Sequence, residues 1–357
     1  MKLITRRRAI GLCVSAMLAL SLAGCASQGA GSASGDASAP ASASGPVMVK
    51  DMKGADILAE GEAKNIVTAN SVATQMVLML GGEDAAATLG AGFNNAQGSL
   101  NANMFPGLGD KRTVTRDDCT VENIAAIDPS MVVIDNDDIV KSLRDSDIPA
   151  AFASVGSPET IKQALQIIGD CLGGDAAAKA ADYGTYYDAI LAKATDKASK
   201  IADADKPRVL YLRSETRACG EKSMPDSWIT AAGGRNVGIE MGLSGAGGGE
   251  VTAEAILEAD PDIIICEKAD CADALKSDAK YSELKAVKSG AVYQAPVATA
   301  VWSMGTAEAP LMVCWAAKTI NPAAFADMDI EAETLSFFKT FYGYELSGAE
   351  LDAIFHR

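Results

Sequence analysis

One fifteen-residue phrase occurs twice in this chain. "TVENIAAIDPSMVVI" occupies residues 120–134, and "TAEAILEADPDIIIC" occupies residues 252–266. Aligned, Thr120 meets Thr252, Glu122 meets Glu254, Ile124 meets Ile256, and Asp128-Pro129 meets Asp260-Pro261. Each phrase spells one structural element. The threonine is a natural N-cap, the isoleucine faces inward, and Asp-Pro ends the helix. The closing apolar run reads as a short strand covered on both faces by helices, as in a parallel sheet. Writing this element twice at long range predicts two similar α/β lobes.

The rest of the chain from about residue 62 supports that reading. "NIVTA" (65–69) is an expected strand, and Asn70 or Ser71 can cap a helix over "VATQMVLML" that Gly81-Gly82 stops. Ser157-Pro158 opens a helix with Ile161, Leu165, Ile168 and Leu172 at helical spacing. Asp175 to about Ala202 then runs with hardly a breaker, giving an expected helix of roughly 40 Å that reads as a strut between lobes. After Lys206-Pro207 the alternation resumes with "RVLYL" (208–212), "WITAAGG" (228–234), the second phrase, "AVYQA" (291–295) and "APLMVCWAAKTI" (309–320). The expected fold is α/β: two Rossmann-like lobes with parallel sheets joined by a long rigid helix.

At the N-terminus, Arg6-Arg7-Arg8 precedes an apolar stretch from Ala9 to Leu22, too short to span a bilayer comfortably and therefore a signal-peptide core. "TRRRAIGL" also bears a faint likeness to a twin-arginine signal. Leu22-Ala23-Gly24-Cys25 looks like a bacterial lipobox, in which Cys25 takes a diacylglycerol and becomes the first residue. The Ala, Ser and Gly residues that follow cannot bury enough apolar surface to fold. The expected organisation is a signal peptide at 1–24, lipidated Cys25 and a flexible tether over 25–61, a first lobe at 62–156, a helical segment at 157–203 and a second lobe at 204–357.

Composition removes several functions. The formal charge is -16, and processing before Cys25 would remove four further positive charges. So acidic a surface repels nucleic acid and anionic lipid, leaving a lipid anchor as the expected membrane contact. The sole histidine is His356, which leaves no Ser-His-Asp triad, no HExxH zinc site and no His-based acid–base work. "GLSGAGGGE" (242–250) is followed by no Gly-Lys-Ser/Thr, so a loop at a lobe edge is expected rather than a phosphate cradle. No catalytic residue, no cofactor and no metal site is expected. Beyond Cys13 and Cys25, the cysteines are Cys119, Cys171, Cys219, Cys266, Cys271 and Cys314, with no CxxC among them. Most read as small buried hydrophobes, and disulfides stay open in an exported chain.

Together these features resemble the substrate-binding lipoproteins of ABC importers for iron-siderophores, haem and cobalamin. The likeness runs from about residue 62 to the end. It rests on the two phrases with "AAGGRNVG" (231–238), "LKAVKSGAVYQAPV" (284–297) and "FFKTFYGYELSGAELDAI" (337–354). It implies a monomer with a ligand between the lobes. It also implies docking of Glu122 and Glu254 onto arginines of a permease dimer served by an ATPase. "VYQAPVATAVWSMG" (292–305) is similar to oxyanion carriers in the same family, although Ala298 stands where those have glycine.

In doubly wound sheets, ligands sit beyond the C-terminal ends of the strands. The expected ligand-binding residues there are Phe93, Asn94, Asn95, Met104 and Phe105 in the first lobe, and Arg213, Arg217, Trp228, Trp302 and Met304 in the second. Aromatics with a few arginines suit a bulky, partly anionic metal chelate. The expected ligand is an iron chelate, a siderophore or haem, with cobalamin or molybdate/tungstate as alternatives. Bare zinc, manganese or nickel is disfavoured without a usable histidine. Two expectations of other classes are a redox or metallo-enzyme built on Cys119, Cys171, Cys219 and Cys266, and a structural surface lipoprotein without a ligand.

Overall fold

A computed structural model describes residues 46–357 except Asn95. The chain divides into two units, 1–44 and 45–357. The expected signal peptide, Cys25 and most of the tether lie outside the described residues, and only the second unit is described below.

The expected tether took in residues 48–59, which instead form two strands. β1 (Met48–Lys50) and β2 (Asp56–Ala59) form an antiparallel pair with Val49, Ile57 and Leu58 buried. Asp51 fixes the turn between them. Its carboxylate accepts the N–H groups of Lys53 and Ala55, then the Phe152 N–H and the Arg144 guanidinium from the first lobe.

The first lobe runs β3 (Ile66–Thr68), α1 (Ser71–Met79), β4 (Leu89–Gly90), α2 (Leu100–Met104), β5 (Thr113–Val114), α3 (Val121–Ala125), β6 (Met131–Ile134), α4 (Asp137–Arg144) and β7 (Ala150–Phe152). Its strands are parallel in the order β3-β6-β7, and the parallel pair β4-β5 joins beside β3 through bridges at Ile66–Ala86 and Asn70–Ala91. Asn70 caps α1 by accepting the Ala73 N–H at 2.9 Å. α5 (Pro158–Leu172) opens with a capping box between Ser157 and Thr160 and stops at Gly173, whose φ of 73° is left-handed. α6 (Asp175–Ala198) follows with 24 residues, about 36 Å long.

The second lobe contains β8 (Arg208–Ser214), β9 (Arg217–Ala218), α7 (Met224–Ala231), β10 (Arg235–Asn236), α8 (Val237–Glu240), β11 (Gly249–Glu250), α9 (Ala253–Ala259), β12 (Ile263–Cys266), α10 (Ala269–Ser277), α11 (Lys285–Lys288) and β13 (Val292–Gln294). The sheet order is β11-β9-β8-β12-β13 with β10 on β8. Its central ladders are parallel, and β9 pairs antiparallel with both β8 and β11. α12 (Ala309–Ile320), α13 (Ile330–Phe337) and α14 (Gly348–Ile354) complete the chain.

The two phrases fold alike, down to their hydrogen bonds. Thr120 accepts the Asn123 N–H at 3.3 Å, and Thr252 accepts the Ala255 N–H at 3.2 Å. In both, an aspartate with positive φ stands just before the proline: Asp128 at 54°, three residues past the end of α3, and Asp260 at 39°, the C-cap of α9. A side chain at the start of each lobe's first strand then holds that corner. Asn65 donates to the carbonyls of Ile127 and Asp128, and Arg208 donates to those of Ala259 and Asp260. In return, the Asn65 N–H goes to the Ser130 hydroxyl and the Arg208 N–H to the Asp262 carboxylate. Different residues make the same joint.

The long helix is more than a strut. Tyr183 and Tyr187 are fully buried, and α6 packs against α5 on one side and against α7 and α12 on the other. One hydrophobic cluster therefore runs from Ile66 and Met76 through Tyr183 to Trp228 and Leu311. Smaller clusters cover the far face of each sheet. The C-terminal helices also return to the first lobe. Tyr342 packs edge-on against Phe105, and Asn103 donates to Glu350 at 3.1 Å.

The lobes meet most tightly at Gly305, where an added Cβ would lie 1.8 Å from the Val155 carbonyl oxygen. Backbone on both sides leaves nothing flexible to yield. Gly305→Ala is expected to lower unfolding free energy by about 1–3 kcal/mol. An unchanged urea midpoint would show that the segments separate without cost.

Candidate ligand cleft

Strand direction locates the cleft. β3, β6 and β7 deliver Asn70, Asp135 and Ala153 to one end of the first sheet, while β8 and β12 deliver Ser214 and Glu267 to the corresponding end of the second. In the first lobe a cavity of about 210 Å³ opens there, lined by Asn70, Met76, Arg116, Asp135, Ala153 and Val155. Arg116 reaches Asp135 at 2.8 Å across it. In the second lobe, Arg213 Nε donates to Glu267 at 3.0 Å, and Glu267 also accepts the Tyr211 hydroxyl at 3.2 Å. Tyr211 in turn meets the Ser303 hydroxyl at 2.7 Å. Arg217 is exposed and donates to the carbonyls of Gly247 and Gly248, steadying the glycine loop at the lobe edge. At its own lip, Gly156 would place a Cβ 3.9 Å from Ala246 of that loop.

The other expected residues divide. Phe93, Met104 and Met304 are half-buried, and Asn94 is exposed, its carbonyl accepting Asn101 Nδ2 at 3.0 Å. Asn95 lies outside the described residues. Phe105 is buried against Tyr342. Trp228 is a correction. It is fully buried, stands edge-on to Tyr211, and donates its indole N–H to the Ser303 carbonyl at 3.0 Å. With its polar atom satisfied and its ring enclosed, it is a core residue beneath the cleft. Trp302 is fully buried too, with its edge against Phe355, and its indole N–H has no partner.

The segment containing Trp302 turns out to be the seam between the lobes. Gln75 on α1 donates to the Thr299 hydroxyl at 2.6 Å and accepts the Ala307 N–H at 2.9 Å. Asn101 on α2 donates to the Thr299 carbonyl at 3.1 Å. Thr299 passes its own hydroxyl hydrogen to Glu308, which also accepts from the Thr299 N–H and the Tyr342 hydroxyl. Glu308 is fully buried, and burial pushes its carboxyl up to about 7 against the opposing pull of these donors.

Sequence reasoning missed Arg116, Asp135, Gln75, Thr299 and Glu308. A signal existed for Asp135, the first polar residue after the strand "MVVI", and for Glu308, the acid that immediately precedes the apolar helix α12.

Glu122 and Glu254 are both exposed and occupy the same position, second in a threonine-capped helix. The Glu254 carboxylate is held below its ordinary range by its own backbone N–H and by the Thr252 hydroxyl. Topology gives each helix a defined starting side. α3 follows β5 through a short loop. β11 runs in the direction of β8, because both are antiparallel to β9, and leads directly into α9. Both glutamates thus start from the end of their sheet to which the strand C-termini point.

The cysteines do not assemble. Cys119, Cys171 and Cys266 lie in three different core clusters, with Cys219 in that of Cys171. Burial raises the Cys119 and Cys219 thiols to about 11 and Cys171 to about 12. That geometry removes the expected four-cysteine centre. Among the described residues, no group of three or more His, Cys, Asp or Glu converges as a metal site would.

Two α/β lobes around a shared helical spine, with polar groups gathered at facing strand ends, define a two-lobed binding protein. Residues 66–299 match the periplasmic binding protein family, and the chain belongs to it. That family works outside the cytoplasm. Its members in ABC importers bind small-molecule ligands and cooperate with a permease. Among curated proteins, the chain is 25% identical over 234 residues to the cobalamin-binding protein of Halobacterium salinarum, covering 62% of this chain and 58% of that relative. The chain thus spans under two thirds of the length of the curated relatives it matches. Among solved structures, a periplasmic solute binding protein from Veillonella parvula superposes with a TM-score of 0.77 at 25% identity, covering 87% of this chain and 97% of that one. The molybdate-bound MolA of Haemophilus influenzae gives 0.72 at 16% identity, covering 84% and 99%.

Glu308 makes a pH prediction. Its carboxyl is raised in the folded state above the ordinary 4.5, so the fold favours the protonated form. The stability it contributes is complete below about 4.5 and is lost as pH rises through about 7. Between those limits the loss attributable to this group is on the order of 3 kcal/mol. Glu308→Gln keeps an acceptor toward Thr299 and Tyr342 and is expected to remove that part of the slope. Urea unfolding of both forms at pH 5 and pH 8 measures it, and identical slopes would exclude an ionising Glu308.

Proposed function

We propose that this protein is the lipid-anchored, monomeric substrate-binding component of an ABC importer. In this reading it captures a bulky metal chelate in the interlobe cleft and presents it to a permease dimer. It performs no catalysis. The observation that carries the reading is the paired arrangement at the cleft: Arg213 with Glu267 in one lobe, Arg116 with Asp135 in the other. Each guanidinium has N–H groups left over, so the cleft offers donors and acceptors side by side. A large ligand with amides and a few anionic groups suits such a surface, whereas a compact oxyanion needs uncompensated donors.

The sequence alone puts an iron chelate first and cobalamin second. The likeness to curated cobalamin-binding proteins supports placing cobalamin first in this proposal. Fluorimetric melting with cyanocobalamin, haem, a ferric siderophore and molybdate distinguishes them. A ligand at 100 times its Kd is expected to add about 2.7 kcal/mol of stability. Arg213→Ala is expected to weaken chelate binding about tenfold or more, because Glu267 is then left without its cation. Stabilisation by molybdate alone would replace the chelate reading.

Glu122 and Glu254 are read as the docking pair. An exposed ion pair contributes only about 0–1 kcal/mol, so neither alone would hold a complex, but two on one rigid body set orientation and speed encounter. Replacing both with alanine is expected to leave ligand affinity unchanged and to abolish stimulation of the transporter's ATPase. Weakened ligand binding in that variant would assign the pair to the cleft instead.

A further inference from the structure

Cys266 ends β12, and Cys271 lies in the first turn of α10. Their sulfur atoms are 3.2 Å apart, and both side chains are buried. The other four described cysteines have no such neighbour: the Cys119 thiol donates to the Thr115 carbonyl at 3.5 Å within the first lobe's smaller cluster, and Cys171, Cys219 and Cys314 are enclosed in the main core. Closing from 3.2 Å to the bond length of about 2.05 Å requires a movement of about 1 Å. That movement falls at the short junction of Glu267 and Lys268, between the end of β12 and the start of α10.

We propose that Cys266 and Cys271 are joined by a disulfide in the exported protein, and that this bond braces the loop carrying Glu267. The inference rests on placement outside the cytoplasm, where disulfides persist, and not on the identity of the ligand or of the permease. The reaction is an exchange with the disulfide of an exported thiol–disulfide oxidoreductase. One cysteine thiolate attacks that disulfide and expels a thiolate from it. The second cysteine then displaces the mixed disulfide, forming the Sγ–Sγ bond and leaving the oxidoreductase as a dithiol. Two electrons and two protons leave the chain with it. Because the pair is buried once the lobe has folded, exchange belongs to the folding chain, and the finished bond is shielded from reductants.

The bond would close a six-residue ring, Cys266-Glu267-Lys268-Ala269-Asp270-Cys271. Glu267 accepts Arg213 and Tyr211 from within that ring. A local crosslink there holds the carboxylate at the cleft, where positional error costs ligand affinity.

Lys268 lies between the two cysteines, which makes the test direct. Full-length protein is recovered from the exported fraction, quenched in acid, alkylated under denaturing conditions and digested with trypsin without reductant. Cleavage after Lys268 separates the fragment ending at that residue from the fragment 269–276. The expected product is these two fragments linked, 2 Da lighter than the sum of the two thiol peptides, and separated by reductant. The same chain held in a reducing cytoplasm is expected to give both fragments alkylated. Both fragments alkylated in protein that fractionation shows to be exported would overturn the disulfide while leaving the binding-protein reading intact.

Discussion

A buried carboxamide spans the boundary between the lobes and ties one to the other. Gln75 uses its nitrogen on Thr299 and its oxygen on the Ala307 N–H, 224 and 232 residues away in the chain. An unpaired buried polar group costs about 1–3 kcal/mol, so parting the lobes would strand Gln75 and then the Thr299–Glu308 chain behind it. Opening would also expose the apolar cluster in which α6 is held between α5 and α12. Lobes sharing one core and one polar seam cannot swing freely. A ligand must therefore enter a cleft whose shape is already largely set.

That stiffness explains why the cleft arginines carry partners of their own. A free arginine would sample many rotamers and lose that freedom on binding. Arg213, half-buried and tied to Glu267, has already lost part of it, while the more exposed Arg116 is held to Asp135 more loosely. Glu267 is itself held by Tyr211, which is backed by Ser303 and by the ring of Trp228. A chain of contacts thus runs from the core to the cleft. The buried tryptophan backs Tyr211 from within the core.

What the sequence revealed follows from interaction range. The caps at Asn70, Thr120, Ser157 and Thr252 are bonds to a residue three positions on, so local pattern is enough to find them. The apolar segment at 309–320 was marked out only as part of the second α/β unit, and it folds as α12 over that span. The hairpin at 48–59 was not legible, since strands of three and four residues carry too short a pattern. Trp228 and Trp302 show a different limit. Large aromatics near strand ends suit a ligand wall or the core beneath it, and only the fold says which side of the backbone faces the cleft. Gln75 and Asn101 sit in ordinary helices, and their partners lie beyond the reach of any local reading.

The duplicated element shows how one frame can serve two purposes. At its corner, a left-handed aspartate precedes proline in both lobes, a backbone shape that needs outside support. Asn65 gives that support in the first lobe and Arg208 in the second, each bonding the same two carbonyls. Residue type differs while geometry is kept, so the helix positions depend on the joint rather than on particular side chains. None of these bonds involves the segments at 93–103, 242–250 or 296–308. Those segments can therefore differ between the lobes, as they do, without displacing the helices that carry Glu122 and Glu254. The corners that carry the exposed glutamates and the seam at 296–308 are held by separate sets of contacts.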